Sequence, residues 1–162
     1  MTERQRTVTW TDPMEIAAAG RGAAGVDFLR ALADGKLPAP PIALLLGFRP
    51  VQIGEGHAVF EYEPDESHYN PIGTVHGGVA ASVFDAALGC AVHSKLPAGV
   101  GYTTLELHTN FIRPIVRDTP KLRCEATAIH VGRTVGTAEA TLKDATGKLY
   151  AHATATQLIL RP

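Results

Sequence analysis

The chain is poor in residues that mark several large classes of protein. Its 162 residues include two cysteines, Cys90 and Cys124, which lie far apart and outside any C-x-x-C pattern. This argues against a zinc site and against a disulfide framework, so we interpret both as reduced, buried thiols. Lys and Arg number 15 against 16 Asp and Glu, with no basic run, so a nucleic-acid-binding surface has no support.

Long apolar runs and a leader-like start are also missing. The longest apolar candidate, residues 37–48, is broken by three prolines and is shorter than the ~20 residues that cross a bilayer. The first six residues are polar and precede no apolar segment typical of a signal peptide. The expectation is therefore a soluble, cytoplasmic protein without a membrane partner.

Short helices are predicted before residue 50. The run Asp12-Pro13-Met14-Glu15 combines an N-cap residue, a proline at the first helical position and a glutamate three residues after the cap. A second helix is predicted over residues 26–32, with Gly35 placed to end it, and a third over residues 40–47. Together they predict a helical N-terminal extension over residues 1–49, with a second domain over residues 50–162.

After residue 50 the pattern is that of strands interrupted by one helix. Residues 57–63 alternate between two faces, and four more strands are predicted over residues 102–112, 121–130, 134–142 and 149–160. A helix is predicted over residues 79–93, where small residues such as Ala80, Ala87 and Gly89 let a sheet approach closely. The fold class is therefore α+β, with one antiparallel sheet curled against one long helix.

Asp85 is an isolated carboxylate within that helix. Between Ser67 and Leu105, only Asp85 and Lys95 carry a formal charge. A carboxylate among apolar neighbours is costly when buried without a partner, so we expect a functional role for a poorly solvated Asp85. The structural alternative is a cap or a wetted helix face.

The His76-Gly77-Gly78 triplet lies where the predicted helix begins. The first N–H groups of a helix have no intrahelical acceptor and, with the helix dipole, suit an oxyanion. Asn70 could donate a second hydrogen bond, although these residues could equally form turns. Gly77 and Asp85 lie about 12 Å apart along one helix. Two helices packed antiparallel would bring Asp85 of one chain near Gly77 of the other, which predicts a homodimer with shared active sites.

Two segments resemble the hotdog-fold acyl-CoA thioesterases. They are residues 70–85, which run from Asn70-Pro71 through His76-Gly77-Gly78 to Asp85, and residues 104–114. The likeness is to the phenylacetate-pathway branch, related to the 4-hydroxybenzoyl-CoA thioesterases, and covers residues 50–160. It implies a hotdog fold, in which an antiparallel sheet of five to six strands wraps around one central helix, preceded here by the N-terminal extension.

The resemblance also implies an activity, the hydrolysis of an acyl-CoA thioester to a free acid and CoA, without a metal or other cofactor. By similarity, the backbone N–H of Gly77 would polarise the thioester carbonyl, with Gly78 beside it in the substrate site. Asn70 and His76 would shape or assist that pocket.

The remaining implied roles concern the partner chain and the nucleotide. Asp85 of the partner would act as a general base on water or as the nucleophile that forms a mixed anhydride. Thr104 would position the carboxylate or the water. Arg113 and Arg133 would bind the CoA nucleotide, unless they are solvated arginines of turns.

Other functions remain open at this point. They are a hotdog-fold enoyl thioester hydratase or dehydratase, a non-catalytic acyl-CoA binder, and a cysteine hydrolase using Cys90 and His93, which share one helix face. The acyl group, and the choice between a dimer and a tetramer, are also open. The apolar residues 42–48 would either line the acyl pocket or cover a sheet face or an oligomer contact.

Overall fold

The chain forms a sheet of six strands preceded by three short helices. The structure is a computed structural model that describes residues 2–162. The N-terminal helices are α1 (Pro13–Gly22), α2 (Gly25–Ala33) and α3 (Pro41–Leu46). Strands β1 (Phe48–Gly54) and β2 (His57–Tyr62) follow, then the long helix α4 (Gly77–His93). The chain ends in strands β3 (Gly101–Phe111), β4 (Leu122–Val131), β5 (Val135–Lys143) and β6 (Leu149–Leu160).

The sheet wraps around α4. Its strand order is β1-β2-β4-β5-β6-β3 and every neighbouring pair is antiparallel. The connection from α4 to β3 therefore carries the chain to the far edge of the sheet, so that β1 and β3 form its two edges. Helix α4 packs against all six strands. The predicted α+β architecture, with one sheet curled around one helix, is confirmed.

Helix α4 forms the centre of the core. The side chains of Val83, Phe84, Ala87 and Leu88 are fully buried. A Cβ atom at Gly89 would lie 2.6 Å from the Tyr102 hydroxyl, so only glycine lets β3 approach the helix this closely. This is the close approach that the small residues of the segment predict.

All three N-terminal helices form where they are predicted: α1 begins at the predicted residue, and α2 and α3 differ from the predicted bounds by one residue at each end. Asp12 Oδ1 accepts a hydrogen bond from Met14 N at 2.8 Å and caps α1. Gly47 ends α3 in the left-handed conformation, with φ of 67°. Helix α2 packs against β1 and α4, and the Gly25 amide donates to Leu96 O at 3.0 Å. Among residues 2–162, no helix is long and apolar enough to cross a membrane.

Strand β1 is an element that the sequence pattern misses. The first strand was expected at His57, but residues Phe48–Gly54 already pair with β2, with a bulge between Pro50 and Gln52. Proline lacks the N–H that a ladder needs and is tolerated only at a sheet edge or a bulge, so it hides this strand from a periodicity argument. The sheet consequently has six strands, the upper figure of the prediction.

Candidate active site

Asp85 and Thr104 meet on the open face of α4. The Thr104 hydroxyl donates to Asp85 Oδ1 at 2.7 Å. Asp85 lies near the middle of α4, whereas Thr104 lies on the edge strand β3, so the contact depends on the crossover that brings β3 beside the helix. A hydroxyl that donates to a carboxylate orients it and leaves the second carboxylate oxygen available for another donor.

The environment of Asp85 differs from the expectation of a poorly solvated acid. Within this chain Asp85 is exposed, although its neighbours Phe84 and Ala87 are fully buried. Asp85 lies on a strip of α4 that the sheet leaves uncovered, beside the edge strand β3. The expectation of burial within one chain is therefore wrong, because apolar neighbours in the sequence do not show which face of a helix a curled sheet leaves uncovered.

The N-terminal end of α4 presents one free amide. His76 is the N-cap, and its Nδ1 accepts from the Gly78 amide at 2.9 Å. The Val79 amide bonds to the His76 carbonyl at 2.9 Å. Within residues 2–162, the Gly77 amide has no acceptor. Of the two glycines predicted to contact the substrate, Gly77 therefore has the free N–H and Gly78 does not.

A cavity of about 380 Å³ opens beside this amide. Its walls come from the loop before α4, from the first turn of α4 and from the end of β3, and they include Asn70, His76, Gly77, Phe111 and Arg113. The Phe111 ring lies over Gly77, since a Cβ atom there would be 3.0 Å from Phe111 Cζ. Phe111 is itself 56% exposed, so it can move away from the amide.

Asn70 organises the loop that precedes α4. Its Oδ1 accepts from the Ile72 amide at 3.1 Å and the Thr74 amide at 3.2 Å, and its Nδ2 donates to Thr74 Oγ1 at 3.0 Å. Turn formation, the alternative considered for this residue, is thus present in the structure. The second N–H of the amide group is not used in these contacts, so a role in substrate binding stays a prediction.

The two arginines considered for nucleotide binding lie at opposite ends of α4. Arg113 follows β3, donates to the Leu149 carbonyl and lines the cavity near Gly77. Arg133 lies in the turn between β4 and β5, three residues before Gly136, where a Cβ atom would lie 2.7 Å from the Val92 side chain at the other end of the helix. Helix α4 is about 25 Å long, so a single chain does not bring both arginines to one ligand.

Cys90 and His93 do not form a nucleophile and base pair. Burial, followed by the charge of Asp85, raises the pKa of the Cys90 thiol to about 12. Burial lowers the pKa of His93, whose ring packs between Phe28 and Tyr102. A protonated thiol is a poor nucleophile, and no hydrogen bond joins these two residues within the described chain. The cysteine hydrolase alternative therefore loses its support.

Gln157 is a polar residue near the site that the sequence analysis did not select. It is fully buried, and neither its Oε1 nor its Nε2 has a hydrogen-bond partner within residues 2–162. Gln157 is the cross-strand partner of Thr104, and its side chain belongs to the buried face of β6. Its burial could have been found from the alternation along β6, because Gln157 follows Ala151, Ala153 and Ala155 at every second position and so belongs to the same core face.

Comparisons with known proteins agree on one family. The sequence profile of the thioesterase superfamily matches residues 72–151. A protein of Saccharolobus solfataricus with a provisional esterase name is 30% identical over 135 residues, which cover 83% of this chain and 94% of the relative. A protein of Halobacterium salinarum, also provisionally named an esterase, is 38% identical over 89 residues. That match spans 53% of this chain and 57% of the relative's length.

Comparison with a solved structure shows that the fold is shared as well as the sequence. The crystal structure of a phenylacetic acid degradation-related protein of Ralstonia eutropha, provisionally named a thioesterase, superposes with a TM-score of 0.72. It is 30% identical and covers 80% of this chain and 98% of its own. The chain belongs to the thioesterase superfamily and has its hotdog fold. The resemblance found in residues 70–85 and 104–114 is confirmed at the level of the family, which supports thioester hydrolysis as the general chemistry.

Proposed function

We propose that the protein is an acyl-CoA thioesterase that works as a homodimer with two shared active sites. In each site, the Gly77 amide of one chain would bind the thioester carbonyl oxygen and Asp85 of the other chain would activate the attack. The observation that carries this proposal is the pairing of Asp85 with Thr104 on the uncovered strip of α4, the helix whose first amide has no acceptor.

The shape of one chain supports the dimer. Gly77 and Asp85 are about 12 Å apart along α4, too far for one carbonyl to reach both. Among residues 2–162, strand β3 pairs only with β6, so its outer edge leaves backbone N–H and C=O groups free to pair with a second chain. The opposite edge, β1, is short, contains Pro50 and is covered by α2. Pairing through β3 would set two α4 helices antiparallel, which covers Asp85 and forms both sites at once.

The chemistry requires few groups because a thioester is already activated. In the general-base route, Asp85 takes a proton from water, the hydroxide attacks the carbonyl carbon, and the Gly77 amide stabilises the oxyanion. Collapse of the tetrahedral intermediate breaks the C–S bond, and the CoA thiolate leaves and takes up a proton. In the nucleophilic route, the Asp85 carboxylate attacks the carbonyl carbon first, the C–S bond breaks and the CoA thiolate leaves, and water then hydrolyses the mixed anhydride to the free acid and the Asp85 carboxylate. Thr104 would hold the carboxylate in either route.

In the same dimer, Arg113 and Arg133 would bind the phosphates of the CoA nucleotide. An antiparallel pair of α4 helices puts the C-terminal end of one beside the N-terminal end of the other. Arg133 of one chain would then approach Arg113 of its partner, although they are far apart within one chain. Two such dimers could also associate into a tetramer. A measurement of the molecular mass in solution distinguishes the dimer from the tetramer.

The test is release of free thiol from a series of short, medium, long and aromatic acyl-CoAs. Wild-type protein should release thiol, and Asp85→Asn should lower kcat by at least ~10² without changing the thermal unfolding midpoint. Asp27→Asn, at an exposed position of α2, is the matched control and should retain wild-type kcat. Wild-type turnover by Asp85→Asn overturns the role of Asp85.

The same assay separates the alternatives. Binding of acyl-CoA without thiol release by the wild-type protein would support a non-catalytic binder. Hydration of an enoyl thioester without thiol release would support a hydratase. Either result overturns the thioesterase proposal.

A further inference from the structure

A second cavity lies between the N-terminal helices and α4. Its volume is about 320 Å³, and its walls come from α2, from the segment that joins α2 to α3, from α3, and from strands β1 and β2. The lining is almost wholly apolar and includes Leu29, Leu32, Ala39, Ala43 and Phe60. One charged side chain, Arg49, reaches it, and its guanidinium is already paired with Glu61 at 2.9 Å.

Helix α4 closes this cavity with residues that adjoin Asp85. Ala86 and Cys90, one helical turn apart, form the α4 side of the lining. Ala86 directly follows Asp85 in the sequence. The charge of Asp85 is also felt at Cys90, where it adds to burial in raising the pKa of the thiol. The cavity therefore borders the same strip of α4 that carries the candidate catalytic carboxylate.

We propose that this cavity binds the acyl group of the substrate, and that the N-terminal helices set its length. The inference rests on the proposed thioesterase function. A methylene group is about as large as a water molecule, which takes up about 30 Å³, so the cavity holds on the order of ten carbon atoms. Apart from Arg49 the lining residues are apolar, so a hydroxyl or charge on the acyl group would be buried unsatisfied wherever it lies away from Arg49. The matching substrates are unsubstituted acyl-CoAs of about eight to ten carbons.

The proposal assigns to residues 42–48 the first of the roles considered for them, lining the acyl pocket. Ile42, Ala43 and Phe48 all contribute to the cavity lining, which favours a part in acyl binding over a purely protective cover. Each methylene group transferred from water to this lining should improve kcat/KM by up to about fourfold. Over the series from butyryl-CoA to decanoyl-CoA, we expect a gain of at least about tenfold.

Variants that fill the cavity test the inference. Ala33→Leu, at the end of α2, and Ala39→Leu, in the segment before α3, both add volume at lining positions. Each should lower kcat/KM for decanoyl-CoA at least about tenfold and for butyryl-CoA less than about threefold. Ala18→Leu, an exposed change on α1 outside the cavity, is the control and should leave both values unchanged. Two variants are used so that the test can still be made if one of them does not fold.

A binding measurement separates this inference from the proposed function. Calorimetry with the Asp85→Asn protein should show tighter binding of decanoyl-CoA than of butyryl-CoA, and Ala33→Leu in that background should remove the difference. This result supports the cavity even where the wild-type protein releases no thiol. Thiol release with no chain-length preference, or a preference that both filling variants retain, overturns the cavity assignment and leaves the thioesterase proposal standing.

Discussion

Thr104 on the sheet edge donates its hydroxyl hydrogen to Asp85 on the central helix, over 2.7 Å. The contact joins two elements that are adjacent only because the chain crosses to the far edge of the sheet after α4. In the proposed site it would hold one carboxylate oxygen, so that the other oxygen faces the water or the thioester.

Removing the Thr104 hydroxyl should impair turnover. Thr104→Val keeps the shape of the side chain but loses the donor, and we expect kcat to fall at least about tenfold, since hydrogen bonds to charged groups contribute about 1.5–3 kcal/mol. Thr104→Ser keeps the donor and should remain within about threefold of wild type. Steady-state kinetics would measure kcat and KM of both variants. Unchanged kcat in Thr104→Val would contradict the positioning role.

Removing the backbone N–H of Gly77 should abolish the hydrogen bond to the oxyanion without disrupting helix α4. Gly77 is the first residue of α4 and follows His76 in an extended conformation, which is the setting that proline prefers. Gly77→Pro should therefore fold and lower kcat by about 10²–10³, the usual effect of one oxyanion donor. Gly77→Ala keeps the N–H and introduces the same Cβ contact with Phe111, so it controls for crowding. Equal losses in the two variants would attribute the effect to Phe111 rather than to the amide.

Mixing two inactive variants should restore activity if the sites are shared. A dimer formed from one Asp85→Asn chain and one Gly77→Pro chain has one site with both defects and one site with neither. Random exchange of subunits should give about a quarter of wild-type activity, since half the dimers are mixed and each has one intact site of two. Thiol release after co-refolding of equal amounts measures this recovery. Activity no higher than that of the separate variants would show that each site belongs to a single chain.

Acidification should weaken the fold through His68. This residue is buried, and burial lowers the pKa of its imidazole below the ordinary 6.5. Its Nε2 lies 3.1 Å from the Arg6 guanidinium, which is donor-only, so the neutral ring accepts there and interacts with the Tyr62 hydroxyl through Nδ1. As pH falls below 6.5, the unfolded chain takes up the proton first, and the stability present at higher pH is lost down to the lowered pKa.

Urea unfolding at pH 7.5, 6.5 and 5.5 would measure this dependence. The decline in the free energy of unfolding below pH 6.5 should be smaller in His68→Gln, which has no titrating ring. His93 contributes in the same direction, since burial lowers its pKa as well, so part of the decline should remain. His152→Gln, at an exposed position of β6, is the control and should follow wild type. A decline of the same size in His68→Gln would exclude His68 as a source.

Replacing Gln157 with an apolar residue should stabilise the protein. Its carboxamide is fully buried without a hydrogen-bond partner within the described chain, a state that costs about 1–3 kcal/mol. Gln157→Leu has a similar volume, so we expect the free energy of unfolding in urea to rise by about 1 kcal/mol. Thr154→Val, an exposed polar-to-apolar change on the same strand, should alter it by less than about 0.5 kcal/mol. A loss of stability in Gln157→Leu would contradict the assignment of an unsatisfied carboxamide.

Much of the fold was predictable because its signals are local. Asp12 and Pro13 predict the start of α1, and Gly47 ends α3. Strand β6 occupies the predicted residues 149–160. Strand β1 was missed because Pro50 and the adjoining bulge interrupt its period, and it is recognised only through its pairing with β2. Local conformational preference says nothing about which strand will lie beside it.

The candidate site, too, was predictable only where its signals are local in the sequence. Asp85 and Gly77 could be selected from the sequence, since an isolated charge in an apolar stretch and glycines at a helix start are visible in the linear chain. The match of Asp85 with Thr104 came from likeness to a family rather than from spacing. The exposure of Asp85, the distance between Arg113 and Arg133, and the burial of Gln157 were not predicted, because each depends on how the sheet curls.

The sequence by itself determined every α-helix, every strand except β1, the family and a short set of residues able to do the chemistry, since helix starts, turns and alternation depend on near neighbours along the chain. Only the tertiary structure decided which face of α4 stays uncovered and that a hydroxyl from the edge strand reaches Asp85. It alone also showed that the N-terminal helices enclose an apolar cavity beside that residue. These features arise where segments distant in sequence pack together, and packing is set by the whole chain at once.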